Sequence, residues 1–481
     1  MASFDVLEEG WIPVETLDGK RELLGIRQVL KRAHTLRAIR DASPLIEYSL
    51  YRFMQVFLMD ALRPEDSFKL EDMLETGRFD MEAIDAYIAA CEAEGVSFDL
   101  FDEKRPFLQV PYEEKWDAKT IKLIQTLDCT LPSGNNHVHF DHRGKNQFAM
   151  QPPEAARLTL ETLLFCTAMG AKGYPSGVNA SPPYYAVIDG RNLFEMLCYT
   201  LIPINEIKIA LDQPPVLWRY QEAIEPKKVV TSTSWLLGML FPTRRIHLIP
   251  EDDGAKIQSV YLSQGMNYIN KDAWTDPCVT YRYLDSGRVP LRPQREKAVW
   301  RNFYDLIDVK NQHAPAVLRV YQEINMSRTI HMTLYGVETN NANYLQVMRH
   351  TLQFPAELAE CETYVRWMRN MIEDAEALAR SLKKALENPK VLPTHVASSA
   401  VQRYYDGCEQ SFWKLCCIFS GAEEDVETTY TEWINEISKY ARKAYEQALT
   451  SIELSAKELV AISKSEYILV NGIMNVKGVT K

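Results

Sequence analysis

The chain of 481 residues has no uninterrupted apolar run of about 18 residues, so an ordinary membrane-spanning helix is excluded. Its 20 glycines and 24 prolines follow no period, which excludes collagen-like and low-complexity material. Cysteine is sparse and badly spaced for structural use. Nine occur, at 91, 129, 166, 198, 278, 361, 408, 416 and 417, with no CxxC among them. An odd number with one adjacent pair suits neither a disulfide framework nor a Cys-rich zinc site, and reduced, mostly buried thiols are expected. The opening MASFDVLEEGWIPV carries acidic residues where a secretory leader has a basic patch, so the expected location is the cytoplasm.

Several signatures of catalysis are missing as well. There is no G-x-S-x-G elbow, no HExxH, no GxxxxGK[ST] phosphate loop, and no pair of carboxylates at a recognisable catalytic spacing. An excess of positive charge is also absent. The net charge is −11, which taken alone argues against a nucleic-acid partner. The charge is unevenly spread, however. Residues 1–226 hold 23 Lys and Arg against 35 Asp and Glu, a balance of −12. Residues 227–350 hold 16 against 11, or +5, and residues 351–481 hold 15 against 19, or −4. A basic middle between acidic flanks allows local phosphate binding; the alternative is chance clustering on a solvated face.

What is present reads as α+β: a mixed α/β N-terminal domain over 1–355, followed by a C-terminal four-helix bundle over 356–481. Ser43-Pro44 opens a helix as N-cap and first helical residue, with Leu45, Phe53, Val56 and Phe57 at helical spacing and Ser49 as the polar interruption. A second helix is predicted from Pro153 to Met169, closed by Gly170. Short strands are predicted at 184–188, 245–249, 257–262 and 279–283, separated by turns such as Asp189-Gly190, Asp253-Gly254 and Ser286-Gly287. No βαβ rhythm appears, so a doubly wound sheet is not indicated. After Pro355 the apolar residues from Leu358 to Leu386 step by three and four, predicting one long helix to Asn388-Pro389. Three more helices follow, from Val401 to Phe419, from Trp433 to Ala448, and from the capping box Ser455-x-x-Glu458.

Three polar strings could carry chemistry. His137-Val-His139-Phe-Asp141-His142 resembles the motif of metallo-β-lactamase-fold hydrolases, where imidazoles and a carboxylate hold zinc and activate water. A metallo-hydrolase built on His137, His139, Asp141 and His142 is therefore the alternative function. Its context is wrong: a polar turn, Leu131 to Asn136, precedes it instead of a buried strand, and no further His occurs until 247. Gly170-Ala-Lys-Gly-Tyr-Pro-Ser-Gly177 is a segment whose backbone can approach another molecule closely, or simply a tight turn. The Asn-dense loop Gly336 to Asn343 suits a turn, and equally presents donors and acceptors to base edges.

Taken in order, these segments resemble the CasA family, the large subunit of the type I-E CRISPR surveillance complex Cascade. The matching stretches are Trp11-Ile-Pro-Val14, Arg105 to Gln109, Ser133 to Asn136, Gly173 to Pro183, Gly190 to Glu195, Asp276 to Val279, Gly336 to Asn343 and the terminal helices. The resemblance implies a non-catalytic subunit at the 5′ end of a guide RNA. It would read the protospacer-adjacent motif (PAM) of double-stranded target DNA from the minor groove, promote duplex opening and R-loop formation, and recruit the helicase–nuclease. The implied partners are the guide RNA, the target duplex, that nuclease, and the backbone, 5′-handle-binding and small subunits of Cascade. The bundle would contact neighbouring subunits and DNA. No membrane partner, cofactor or enzyme activity is implied.

By the same resemblance, Lys172 and Gly173 correspond to the family's glycine loop, Arg282 to its basic finger, and Asn340 and Asn341 to its polar wedge. A Gln commonly stands at the position of Asn341, and the shorter Asn reaches less far. Ser133, Gly134, Asn135 and Asn136 correspond to a loop that contacts guide RNA and neighbouring subunits. Some relatives carry a Cys cluster in the N-terminal domain; its absence here implies no bound metal.

Overall fold

The computed structural model describes residues 2–114, 116, 120–128, 131, 149–165, 174–175, 177–251, 254–285, 287–325, 327–340, 343–387, 393–418, 423–450 and 456–478. Two compact units are formed. The first comprises Met1–Arg295, Ala314–Met326 and His331–Leu352; the second comprises Glu296–His313, Ser327–Ile330 and Gln353–Lys481.

The first unit is organised around the helix Pro44–Leu62. Ser43 caps it by accepting from the Ile46 backbone N–H, and Pro44 fills the first helical position. Every residue from Leu45 to Asp60 is buried, as expected of a helix covered on all sides. The Ser49 hydroxyl is satisfied within the helix by the Leu45 carbonyl at 2.7 Å. A second helix is described over Pro152–Leu164. Residues 166–173, including the predicted Gly170 cap, lie outside the described residues.

The strands form small sheets. β1 (Ile12–Thr16), β2 (Arg21–Leu24) and β3 (Leu36–Ile39) pair in the order β2-β1-β3. β4 (Ile121–Leu123), β7 (Arg244–Pro250) and β8 (Ile257–Gln264) pair as β4-β8-β7. Between these in sequence come β5 (Tyr185–Ile188) and the two-residue β6 (Val229–Val230), which pairs in parallel with β9 (Asn267–Tyr268). β10 (Tyr281–Leu284) and β11 (Gly287–Pro290) make a hairpin. β12 (Thr329–Asn340) and β13 (Asn343–Pro355) make a longer one, in the order β13-β12-β5. The predicted strand at 279–283 therefore starts two residues late. Val279 makes only an isolated bridge, to Tyr185.

Four helices of 23 to 28 residues belong to the second unit: Glu362–Glu387, Thr394–Ile418, Glu423–Thr450 and Ala456–Gly478. The first packs against each of the other three. This unit also takes in residues 296–313, which the sequence reading assigned to the first domain. Trp300 packs between Phe412 and Trp433, tilted and edge-on, with ring centroids 5.2 and 6.1 Å away, and Arg301 pairs with Glu376 at 2.6 Å. Among the described residues all seven cysteines are free and five are buried.

Candidate nucleic-acid interface

β5 is the root of two hairpins. On one side it pairs antiparallel with β12, Tyr335 opposite Tyr185 and Met332 opposite Ile188. On the other side Ala186 N–H donates to the Cys278 carbonyl at 2.8 Å and Tyr185 bridges Val279, again antiparallel. Both neighbours therefore run towards the N-terminal end of β5 as their numbers rise. Arg282 lies four residues beyond Cys278, and Asn340 five beyond Tyr335. At about 3.3 Å per residue, each is carried past that same end.

The shorter hairpin is fixed by side chains at its base. Asp276 is buried, and its Oδ1 accepts from Arg52 Nη2 at 2.6 Å and from the Cys278 backbone N–H at 3.0 Å. Asn179 Nδ2 donates to Asp276 Oδ2 at 3.3 Å. The Tyr281 hydroxyl accepts from the Asp276 backbone N–H at 3.1 Å and donates to Asn179 Oδ1 at 3.0 Å. Burial opposes the charge on Arg52, and Asp276 more than offsets it, so the guanidinium stays ionised. Burial also pushes the Cys278 thiol up to about 11 and raises the Tyr281 phenol, so both are neutral at physiological pH. On β11, Arg288 stacks over the Tyr281 ring with its guanidinium carbon 4.3 Å from the centroid. Its Nη2 donates to the carbonyls of Lys271 and Trp274 at 2.9 and 2.7 Å. Alternation along β10 then puts Tyr281 and Tyr283 on one face, Arg282 and Leu284 on the other. Arg282 is half-buried, while Tyr283 and Leu284 are 54% and 55% exposed.

The longer hairpin is fixed by strand pairing and close packing. Tyr335 donates to Glu47 Oε1 at 2.5 Å, and Thr333 donates to the Asp189 carboxylate at 2.9 Å. The Tyr184 hydroxyl donates to Met348 Sδ on β13 at 3.3 Å. Gly336 is a contact point: a Cβ there would lie 2.6 Å from Pro293 Cγ and 3.1 Å from the Tyr184 ring. Asn340, at the far end of β12, is exposed.

Of the residues singled out from the sequence, Arg282 and Asn340 thus share one end of β5. Lys172, Gly173, Asn341, the segment Ser133 to Asn136 and the His137–His142 cluster lie outside the described residues. Among the described residues no group of three or more His, Cys, Asp or Glu is gathered as metal ligands. Sequence reasoning missed the roles of Arg288 and Tyr281, because apart from each other their partners lie outside the hairpin. It also passed over Tyr283 and Leu284, although two bulky apolar residues beside a turn at Asp285-Ser286 were visible in the string.

The model of the family of CRISPR-associated protein Cse1 matches residues 5–444. The chain belongs to the CRISPR-associated Cse1 family. This is the CasA family of the resemblance above, the large subunit of the Cascade surveillance complex. CasA/Cse1 of Thermus thermophilus is 26% identical over 405 residues, 80% of this chain and 77% of its own. Solved Cse1 structures share the fold. That of Acidimicrobium ferrooxidans superposes with a TM-score of 0.78 at 20% identity over 99% of both chains. Thermobifida fusca Cse1 gives 0.79 at 18% identity, over 99% of this chain and 98% of its own. A chain of a structure titled CRISPR RNA-guided surveillance complex gives 0.70 at 20% identity, over 94% and 99%. The Cse1 fold therefore holds from the first strands to the last helix, although most residues differ.

Proposed function

We propose that this Cse1-family chain is the non-catalytic large subunit of a type I-E surveillance complex. It reads the PAM of duplex DNA from the minor groove, helps to open the duplex for R-loop formation, and presents a surface for the helicase–nuclease. The observation that supports this best is the shared root of the two hairpins: Arg282 and Asn340 leave the same end of β5 on separately anchored arms. A minor groove is only about 6 Å wide, and its negative potential favours a guanidinium inserted edge-on. Arg282 is the cation of this reading head, and Asn340 with Asn341 the wedge that parts the first base pair. Lys172 and Gly173 bring backbone to the same groove, and Ser133 to Asn136 face the guide RNA and adjacent subunits.

The charge distribution agrees with this role. In RNA-guided recognition, base pairing with the guide supplies sequence specificity, so the PAM reader need not be basic overall. The +5 balance of residues 227–350 contains Arg282. The test is the complex reconstituted with guide RNA and a PAM library. Arg282→Ala should weaken PAM-duplex binding about tenfold and lower the salt slope by about one unit. Asn341→Ala should slow duplex opening more than it weakens initial binding. Parental binding and opening rates in both variants would refute the assignment.

A further inference from the structure

Leu284 stands at the free end of the shorter hairpin. Only Asp285 and Ser286 separate it from Gly287, its partner in the register, whose φ is +109°. A glycine opposite leaves the isobutyl group without a cross-strand neighbour. On the same face of the ribbon come Arg282, two residues back, and the half-buried Val289 paired with Arg282. Tyr283 points to the opposite face. With Leu284 55% and Tyr283 54% exposed, the tip is apolar on both sides. It is carried on a stiff base, because Arg288 stacks on Tyr281 and the Tyr281 hydroxyl is tied to Asp276 and Asn179. A cation alone does not account for such a tip. Asp285 is exposed at the turn, three residues from Arg282, and its carboxylate opposes the attraction of Arg282 to phosphates. Apolar contact is a second source of grip.

We propose that Leu284 is an apolar wedge that enters the minor groove beside Arg282 and slips partly between two stacked base pairs at the PAM, kinking the duplex. The proposal rests on the PAM-reading role given above. Leu284 lies about 6.8 Å nearer the tip than Arg282, and the groove is about 7.5 Å deep. A hairpin that brings the Arg282 backbone to the mouth of the groove therefore carries Leu284 to its floor. There a branched aliphatic side chain meets the gap between base steps, and its insertion unstacks one step and bends the duplex towards the major groove. Burial of the leucine offsets part of that cost. Pyrimidine–purine steps are the easiest to unstack, so the wedge favours a duplex with such a step at its contact point. A step already unstacked lowers what strand separation must still supply, which gives the shorter arm a share in opening separate from that of Asn340 and Asn341. A protein partner suits the tip less, because Tyr283 and Leu284 face opposite ways and form no common patch. A slot with two walls meets both.

The test uses the full complex with guide RNA, at saturating concentration, and a PAM duplex carrying 2-aminopurine at successive steps in and beside the PAM. The rest of the duplex is unmatched to the guide, so no R-loop follows and only the encounter with the PAM is read. The parental complex should brighten one step at least about twofold, and only when the PAM is present. Leu284→Ala should abolish that rise and weaken PAM-duplex binding about fivefold, with the salt slope and melting temperature unaltered. Leu284→Met, which keeps an apolar probe of similar volume, should restore the rise. Arg282→Ala should instead flatten the salt slope. The wedge is overturned if Leu284→Ala keeps the rise, or if this variant loses neighbouring subunits while the rise is unchanged. If the parental complex binds the duplex in a PAM-dependent way and no step brightens, the wedge alone falls. If binding shows no PAM dependence, the PAM-reading role falls and the wedge with it.

Discussion

The hairpins Tyr281–Pro290 and Thr329–Pro355 leave the same strand but are aimed by different means. The first is short, and its direction is set by a buried ion pair, a tyrosine hydroxyl and a stacked arginine. The second is long and is steered by strand pairing with β5 and by the bare backbone of Gly336 against Pro293. The difference teaches that a short arm needs side-chain clamps, because it has too few ladder hydrogen bonds to hold its own bearing. A long arm can rely on its ladder, provided nothing bulky lifts it off the core.

The most damaging way to break this contrast is Asp276→Ala. It leaves the Arg52 guanidinium buried without its carboxylate, and removing one partner of such a pair costs about 3–5 kcal/mol. Urea unfolding should read that loss. Amide exchange should accelerate across 281–290 while 329–340 keeps its protection; equal acceleration in both would dissolve the distinction between the arms. Gly336→Val comes next, at about 1–3 kcal/mol of overpacking, with the pattern reversed: faster exchange in β12 and an unaltered shorter hairpin.

The smallest effect is expected at Glu376, in the helical unit. Burial raises the Glu376 carboxyl, but the hydrogen bond and charge of Arg301 outweigh it, and the group is held below the ordinary glutamate range. A carboxyl lowered by folding contributes stability above its unfolded pKa and loses it as pH falls through the folded value. Glu376→Gln should therefore flatten the acid limb of the stability profile below about pH 4.5, by about 1 kcal/mol or less. Exchange at both hairpins should not change.

Much of the architecture was legible because it follows local rules. Ser43-Pro44 announced its helix, and the three-four stepping from Leu358 to Leu386 announced the first helix of the bundle. Arg282 and Asn340 were singled out only through family resemblance, and their placement on hairpins emerged with the structure. The clamp beneath Arg282 was not legible. Arg52 and Asp276 are 224 residues apart, and no periodicity signals that one will be buried against the other. The packing of residues 296–313 was hidden for a related reason. Their aromatic residues look like those of any mixed domain until Trp300 is seen among Phe412 and Trp433. The change of texture after Pro355 marks where the bundle helices begin in the chain, whereas the compact unit they belong to draws in earlier segments.

Gly336 also limits how this protein could be re-engineered. A designer wishing to transplant a different tip, from a relative or a library, has a free cassette only above that position. Insertions and swaps between Thr339 and Asn343 alter what the arm presents, whereas a graft extending down through residue 336 would tilt the whole arm and confound any change in target preference with a change in aim.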